Sequence, residues 1–193
     1  SILEYIHDRH IIHRDIKPSN IMVENGSNVR LMDLGIARMN GGNRFSQFGF
    51  IGTPQYSAPE QIRREEGNTS TEINATTDIY ELGITFYELL AGENPMDCEK
   101  EVDTLAKQID EPLPKSDRIP NRLMKVIWKA TEKEQSKRFQ TAMEFKRAIL
   151  EALEPEPSVG EKISTWIQGN VVTMVAIAAV VAFLIFVIVL LII

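Results

Sequence analysis

Three side chains near the start of the chain have a spacing that suits the transfer of a phosphoryl group. Residues 13–20 read HRDIKPSN, so the carboxylate of Asp15 is followed by the cation Lys17 and then by the amide Asn20. A carboxylate can take the proton of an attacking hydroxyl, and an ammonium group can stabilise developing negative charge. Amide and carboxylate oxygens are ligands that Mg²⁺ prefers. The segment therefore predicts a loop for phosphoryl transfer.

Two further motifs follow in order along the chain. DLG at residues 33–35 begins eighteen residues after Asp15, and APE occupies residues 58–60. Protein kinases carry H-R-D-L-x-x-x-N, then D-F-G, then A-P-E. Each aspartate taken singly could be a turn residue beside a strand, but the three motifs together favour one interpretation. The chain resembles the C-terminal lobe of a protein kinase, with Leu34 as a volume-compatible replacement for the usual Phe.

The resemblance implies ATP as phosphate donor, with Mg²⁺ or Mn²⁺, and proteins as substrates. Asp15 would orient the substrate hydroxyl and accept its proton, while Lys17 would place a positive charge near the transferred group. Asn20 and Asp33 would bind the metal ion, and together with Lys17 they would form the nucleotide site. Lys17 and Thr53 together resemble the pattern of serine/threonine kinases rather than that of tyrosine kinases.

The resemblance also assigns structural and substrate-binding residues. Residues 52–60, GTPQYSAPE, match the segment that seats the substrate in serine/threonine kinases. Asp78 matches a central-helix aspartate that braces the catalytic loop through backbone hydrogen bonds, and His13 is expected to have a structural role in that loop. Arg138 matches the arginine that pairs with Glu60, the alternative being a solvated surface charge.

One residue of the catalytic loop bears on regulation. Arg14 directly precedes Asp15, and in kinases with this pair the arginine can bind a phosphate on the activation loop and order it. Arg14 is therefore assigned a structural role. Ser46 is the one hydroxyl side chain in the sequence between Leu34 and Gly52. We expect Ser46 to be an autophosphorylation site, the alternative being an ordinary loop serine.

Composition limits the classes of function. The chain has 193 residues, which suits one domain with a hydrophobic core. A formal net charge of −6 and a pI near 5.2 give no basic surface for a nucleic acid, so no such partner is expected. Cys98 is the only cysteine, so the sequence contains neither an internal disulfide nor a cysteine-based metal site. Asp97 and Glu99 beside it disfavour a reactive thiolate.

The pattern of apolar residues predicts a mainly α fold with a small β-hairpin. Residues 21–23 and 29–32 are β-prone runs around Asn25-Gly26, a hairpin signal. Residues 35–60 and 62–77 are expected to be long loops, and Thr141–Glu144 reads as a capping box. The apolar faces of four predicted helices are Ile2, Leu3 and Ile6; Ile79, Leu82, Phe86, Leu89 and Leu90; Ile119, Leu123, Val126, Ile127 and Ala130; and Phe145, Ile149 and Leu153.

The last 23 residues, 171–193, contain no charged side chain. As a helix they would be about 35 Å long, enough to cross a hydrocarbon core of about 30 Å. We therefore predict a kinase C-lobe at 1–153, a juxtamembrane linker at 154–170 and a single transmembrane helix at 171–193. A buried core helix is the alternative for the last segment. This order resembles the eukaryotic-like receptor kinases of bacteria, and it implies the cell membrane with the kinase lobe on the cytoplasmic side.

The sequence contains neither G-x-G-x-x-G nor V-A-I-K, motifs that hold the phosphates of ATP in protein kinases. We therefore expect a fragment of a longer kinase that lacks the N-terminal lobe and is inactive by itself. The alternative is a pseudokinase or a membrane-anchored docking module, which the complete catalytic set argues against. A hydrolase built on His13 and Asp15 would need a nucleophile that the motifs do not supply. A homodimer is a further possible state of the protein.

Overall fold

The computed structural model describes residues 2–25, 28–34, 52–65, 67 and 72–155, together with residues 160, 166 and 170. The chain divides into two units, Ser1–Leu153 and Glu154–Ile193. Among the described residues, no helix is both long enough and apolar enough to cross a membrane. The predicted span at 171–193 and the predicted phosphorylation site Ser46 lie outside the described residues.

The described part of the first unit consists mainly of helices together with one two-stranded sheet, which confirms the predicted mainly α fold with a β-hairpin. Single 3₁₀ turns occur at Pro18–Asn20 and Gln135–Lys137. In the part of the chain that the structure describes, the helices and strands in order are α1 Ile2–His7, β1 Ile21–Glu24, β2 Asn28–Leu31, α2 Pro59–Glu65, α3 Ala75–Ala91, α4 Glu101–Asp110, α5 Asn121–Ala130 and α6 Ala142–Leu153.

The hairpin follows the catalytic loop directly. Strands β1 and β2 pair antiparallel, with Ile21 opposite Leu31. Asn25 after β1 has a φ of 51°, in the left-handed region that asparagine tolerates better than most residues. Ile21 and Leu31 pack against the buried side chains of α1 and of the catalytic loop, including Ile16. The hairpin therefore holds together the two residues that flank it, Asn20 before β1 and Met32 after β2.

Helix α3 is the central element of the first unit. It begins with a capping box in which Asn74 accepts from the start of the helix and Thr77 accepts from the backbone of Asn74. It ends at Gly92, whose φ of 82° suits a residue without a side chain. Tyr80 and Ile84 of α3 are fully buried and belong to the main hydrophobic cluster.

The apolar face predicted for α3 is wrong in part. Leu89 was expected to be buried but is exposed, whereas the polar residues Asp78 and Glu81 are buried. Because several elements surround α3, its burial does not follow a single apolar stripe. The catalytic loop covers one side of the helix, and that side carries polar groups instead of aliphatic ones.

Helices α5 and α6 pack beneath α3. The apolar face predicted for α5 is present, with Leu123 and Ile127 buried. On α6, Phe145 is buried and stacks on Phe139 with ring centroids 5.3 Å apart. Leu153 was expected on the same face but is exposed. Positions four apart drift by about 40° per step around an α-helix, so the third member of such a series leaves the core.

The loop predicted at 62–77 is also wrong at its start. Residues 59–65 form α2, and Ile62 within this helix is buried in the core. The polar residues that follow Ile62 obscured the helix in the sequence, because α2 makes fewer than two turns and carries one apolar residue on its buried side. The APE segment therefore begins a helix rather than preceding a loop.

The start of α2 is held to the rest of the unit by a buried ion pair. Arg138 Nη1 and Nη2 donate to Glu60 Oε1 and Oε2 over 2.7 and 2.9 Å. The guanidinium also donates to backbone carbonyl oxygens, and Thr77 Oγ1 donates to Glu60 over 2.8 Å. The three carbonyl acceptors belong to Thr76, Glu132 and Lys133. Arg138 is 2% exposed, so it is not a solvated surface charge.

We expect Glu60→Ala to destabilise the chain by about 3–5 kcal/mol, because it leaves the Arg138 charge buried without its partner. The measurement is the urea unfolding midpoint of the full chain. Glu134→Ala is the matched control, since it removes an ion pair to Lys137 whose side chains are both well exposed. An unchanged midpoint for Glu60→Ala would contradict a stabilising role for this pair.

Gly83 allows α3 to approach the end of α5 closely. A Cβ at this position would lie 2.7 Å from Thr131 Cγ2 and 3.1 Å from Ala130 Cβ. Alanine is favoured over glycine in a helix by about 1 kcal/mol, but overpacking a core costs about 1–3 kcal/mol. The close approach of the two helices therefore outweighs the intrinsic helix propensity at this position.

We expect Gly83→Ala to lower the unfolding midpoint despite its better helix propensity. Adding Thr131→Ser removes the methyl group that clashes, so the double variant should recover part of the loss. Both are measured by urea unfolding monitored by far-UV circular dichroism. A Gly83→Ala chain more stable than wild type would show that the helices are not packed as closely as described.

Candidate active site

The side chains of Asp15, Lys17, Asn20 and Thr53 meet at one point. Lys17 Nζ lies 3.1 Å from Asp15 Oδ2 and donates to Thr53 Oγ1 over 2.7 Å. Thr53 Oγ1 in turn donates to Asp15 Oδ1 over 3.0 Å. Asn20 Nδ2 donates to Asp15 Oδ2 over 3.2 Å and to the Asp15 carbonyl oxygen over 2.8 Å. The structure therefore brings together three residues of the catalytic loop and one from the predicted substrate segment.

Both oxygens of the Asp15 carboxylate are oriented by these contacts. The Asp15 and Lys17 side chains keep about a fifth of their surface in contact with solvent. A carboxylate held in this way can accept a proton from a hydroxyl that reaches it from outside. Lys17 lies beside it as a compact positive charge. The arrangement suits a reaction in which a hydroxyl loses its proton while negative charge develops nearby.

The catalytic loop is held in place by the buried carboxylate of Asp78 on α3. Asp78 Oδ2 accepts from the His13 backbone N–H over 2.9 Å, and Oδ1 accepts from the Arg14 N–H over 2.8 Å. His7 Nε2 lies 2.7 Å from Oδ2. Arg14 has a φ of 66°, a conformation that costs a non-glycine residue free energy and persists only where its surroundings enforce it. The two adjacent hydrogen bonds to Asp78 provide that constraint.

Two further residues of α3 hold the loop, and the sequence reasoning missed both. Glu81 Oε2 accepts from the Ile16 N–H over 2.7 Å, and Thr85 Oγ1 donates to the Ile16 carbonyl oxygen over 3.2 Å. Asp78, Glu81 and Thr85 are spaced i, i+3 and i+7, which places them on one side of a helix. Such a polar row on an otherwise apolar helix is the signal that could have identified them.

His13 connects the catalytic loop with the residue before Asp33. Its Nδ1 accepts from the Asp15 N–H over 3.3 Å, so its Nε2 carries the proton and donates to the Met32 carbonyl oxygen over 2.9 Å. The Met32 N–H donates to the Asn20 carbonyl oxygen over 2.8 Å. These two contacts hold the chain next to Asp33, whose own side chain is exposed and whose φ is 54°.

The predicted metal ligands fit a hard cation by their donor chemistry. The Asn20 amide nitrogen is committed to Asp15, which leaves its carbonyl oxygen as the acceptor, and Asp33 offers an exposed carboxylate. The backbone hydrogen bond from Met32 to Asn20 holds Asn20 next to the residue that precedes Asp33. Among the described residues, no group of three or more His, Cys, Asp or Glu could hold a metal ion. A cation here would therefore need further oxygen ligands, as Mg²⁺ usually takes from water and phosphate.

The predicted substrate segment is braced from several sides. Gln61, which the sequence reasoning missed, accepts from the Ala58 N–H over 2.7 Å and donates to the Arg14 carbonyl oxygen over 3.0 Å. Tyr56 donates to Glu88 Oε2 over 2.6 Å, and burial together with this carboxylate raises the pKa of Tyr56. Gln61 therefore couples the start of α2 to the catalytic loop directly.

A series of hydrogen bonds between buried polar side chains supports the predicted substrate segment from the side of α4. Gln108 Nε2 donates to the Gln55 carbonyl oxygen over 2.6 Å, and Gln108 Oε1 accepts from the Tyr80 hydroxyl over 2.6 Å. Lys133 Nζ donates to that hydroxyl over 2.8 Å. Burial, and then the nearby Arg138 guanidinium, lower the pKa of Lys133 to about 8. The substrate segment thus rests on groups from α3, α4 and the turn after α5.

Comparison with known proteins agrees with this geometry. Residues 1–151 match the family described as the protein kinase domain. The chain is similar to the serine/threonine-protein kinase PknB of Mycobacterium tuberculosis, with 36% identity over 170 residues that cover 84% of this chain and 26% of the relative. It is similar to PknB of Mycobacterium leprae at 34% identity over 169 residues, covering 84% of this chain and 26% of the relative.

A relative from another genus gives a similar result. The serine/threonine-protein kinase PrkC of Bacillus subtilis is 32% identical over 161 residues, which cover 81% of this chain and 24% of the relative. The chain spans about a quarter of the length of the curated relatives it matches. The family match and the geometry of the catalytic loop lead to one conclusion: the chain belongs to the protein kinase family.

Proposed function

We propose that the chain is the catalytic part of a membrane-anchored serine/threonine protein kinase, which transfers the γ-phosphate of ATP to hydroxyl groups of protein substrates. The observation that carries the proposal is the convergence of Lys17 and Thr53 on the Asp15 carboxylate. It joins a proton acceptor to the segment that would seat the substrate. The names of the relatives, which are serine/threonine-protein kinases, support the choice of hydroxyl.

In the proposed reaction the substrate hydroxyl loses its proton to Asp15 as its oxygen forms a bond to the γ-phosphorus of ATP. The bond between that phosphorus and the β,γ-bridging oxygen breaks, and ADP leaves with the bonding electron pair. Lys17 stabilises the negative charge near the transferred group, and Thr53 holds the carboxylate in the orientation that accepts the proton. ATP with Mg²⁺ or Mn²⁺, when bound, supplies the phosphoryl group and neutralises the charge of its oxygens. Asn20 and Asp33 are the residues that would hold the metal ion.

The whole kinase would contain an ATP-binding lobe and a membrane anchor besides the catalytic part. Phosphate transfer would require a glycine-rich loop and a strand lysine, and neither motif occurs in the 193 residues. We propose that the chain is inactive alone and acts together with such an ATP-binding lobe. The predicted helix at 171–193 would anchor it in the cell membrane, with residues 1–153 on the cytoplasmic side. Ser46 would be phosphorylated in the active protein, which phosphopeptide mapping can test.

The experiment compares the chain alone with a fusion that places the ATP-binding lobe of a protein kinase before it. We expect radiolabelled phosphate on serine or threonine of a protein substrate only with the fusion. Asp15→Asn in the fusion should lower kcat by at least about 100-fold, since it removes the proton acceptor. Asp117→Asn, which changes a fully exposed carboxylate, is the control and should retain activity. A fusion that binds ATP without transferring phosphate would indicate a docking module instead.

Asp78 gives a second test in the same fusion. Asp78→Asn replaces one acceptor oxygen by a donor that faces a backbone N–H of the catalytic loop. Losing a hydrogen bond to a charged group costs about 1.5–3 kcal/mol, so we expect kcat to fall by about 10- to 100-fold. The KM for the protein substrate should change less, because Asp78 does not lie in the substrate segment. Unchanged kcat would show that the loop keeps its geometry without this carboxylate.

A further inference from the structure

The side of α6 that faces away from the core carries large apolar side chains. Met143, Leu150 and Leu153 are 38%, 52% and 61% exposed. Lys146 and Arg147 lie between them and are exposed as well. We call these five residues the α6 outer face. Ala142 and Phe145 of the same helix are buried.

The two cations of the α6 outer face have no ion-pair partner in the part of the first unit that the structure describes. Among the described residues, no carboxylate lies within ion-pair distance of Lys146 or Arg147. Arg147 lines the groove toward α5 together with the acids Glu144 and Glu151, so the positive charge of the outer face is partly offset on that side. Glu144 also accepts from the Gln140 N–H at the start of the helix. The outer face therefore combines apolar and positively charged groups on a chain whose net charge is −6.

The apolar surface extends beyond the helix itself. Lys146 and Leu150 also line an apolar groove of about 280 Å³ between α6, α1 and the hairpin. Apolar side chains flanked by lysine and arginine on one side of a helix are typical of helices that lie in the interface of a bilayer. Anionic headgroups complement the cations, and the acyl boundary accepts the apolar groups.

We propose that the α6 outer face lies on the surface of an anionic lipid bilayer. This inference rests on the proposed membrane anchor. The predicted linker at 154–170 has 17 residues and spans at most about 60 Å when extended, so the anchor would keep the face within that distance of the bilayer. Two cations alone bind such a surface only weakly. The tether compensates by raising the effective concentration of the face to the millimolar range.

Carboxylates close to the face act against this contact. Glu154 directly follows Leu153, and Glu156 and Glu161 lie in the linker. Docking is therefore weak and reversible, and it depends on the lipid charge. It differs from an anchor in this respect, since a transmembrane helix stays inserted in a neutral bilayer.

The test uses the full chain in lipid nanodiscs made with phosphatidylcholine alone or with added phosphatidylglycerol. Cys98→Ser removes the native thiol, and Leu150→Cys carries an environment-sensitive fluorophore. Leu89→Cys, another exposed leucine position, on α3, is the matched control. We expect emission from position 150 to shift to shorter wavelength only in the anionic discs, and emission from position 89 to stay unchanged.

Charge reversal identifies the groups responsible. Lys146→Glu with Arg147→Glu should abolish the shift at position 150. Lys100→Glu with Lys115→Glu changes the net charge equally at two exposed positions, one before and one after α4, and should retain it. An equal loss in both pairs would overturn the proposal in favour of non-specific attraction. A shift that needs two chains in a disc, whatever the lipid, would overturn it in favour of a second copy.

The same preparation separates this inference from the proposed anchor and from catalysis. Alkaline extraction of the discs reports whether the chain is inserted. Inserted chains with the same emission in both lipids would overturn surface docking and leave the anchor intact. Chains that are extracted would overturn the anchor and the docking with it. Phosphate transfer by the fusion is measured without a membrane, so its outcome is independent of both.

Discussion

The Asp78 carboxylate, fully buried on α3, accepts the N–H groups of two consecutive residues of the catalytic loop. A buried charge is tolerated when it is hydrogen-bonded, and here the donors are the backbone of His13 and Arg14 together with the His7 ring. The left-handed conformation of Arg14 is set by these bonds. Since Asp15 is the next residue, the direction of its side chain depends on Asp78. The geometry of the candidate site is therefore determined from inside the helical unit.

A second buried charge fixes the substrate segment against the same helix. The Glu60–Arg138 pair satisfies its hydrogen-bonding groups through Thr77 and through backbone carbonyls, so neither ion is left unpaired. Buried pairs of this kind seldom add much net stability over apolar packing, but removing one partner is costly. Their value here is positional. The pair holds the start of α2, and Gln61 in α2 holds the Arg14 carbonyl, so the two loops of the site share one support.

The residues that do the proposed chemistry could be predicted from the sequence, because Asp15, Lys17 and Asn20 lie within one short motif. Asp78 and Arg138 came from the family resemblance, since their partners are distant in the chain. Glu81, Thr85 and Gln61 were missed because single polar residues on helices usually face water. The prediction that Leu89 and Leu153 are buried is wrong. Apolar periodicity indicates a helix, but it does not show how much of the apolar side other elements cover.

Helix α3 serves two requirements that restrict each other. One side presents Asp78, Glu81 and Thr85 to the catalytic loop, and Gly83 on another side allows close contact with Thr131. Successive residues of an α-helix are about 100° apart, so a rotation that relieved crowding at Gly83 would also turn the polar row away from the loop. The packing of Gly83 against Thr131 and the orientation of Asp15 in the catalytic loop are therefore coupled. Gly83 therefore affects the site through the orientation of α3.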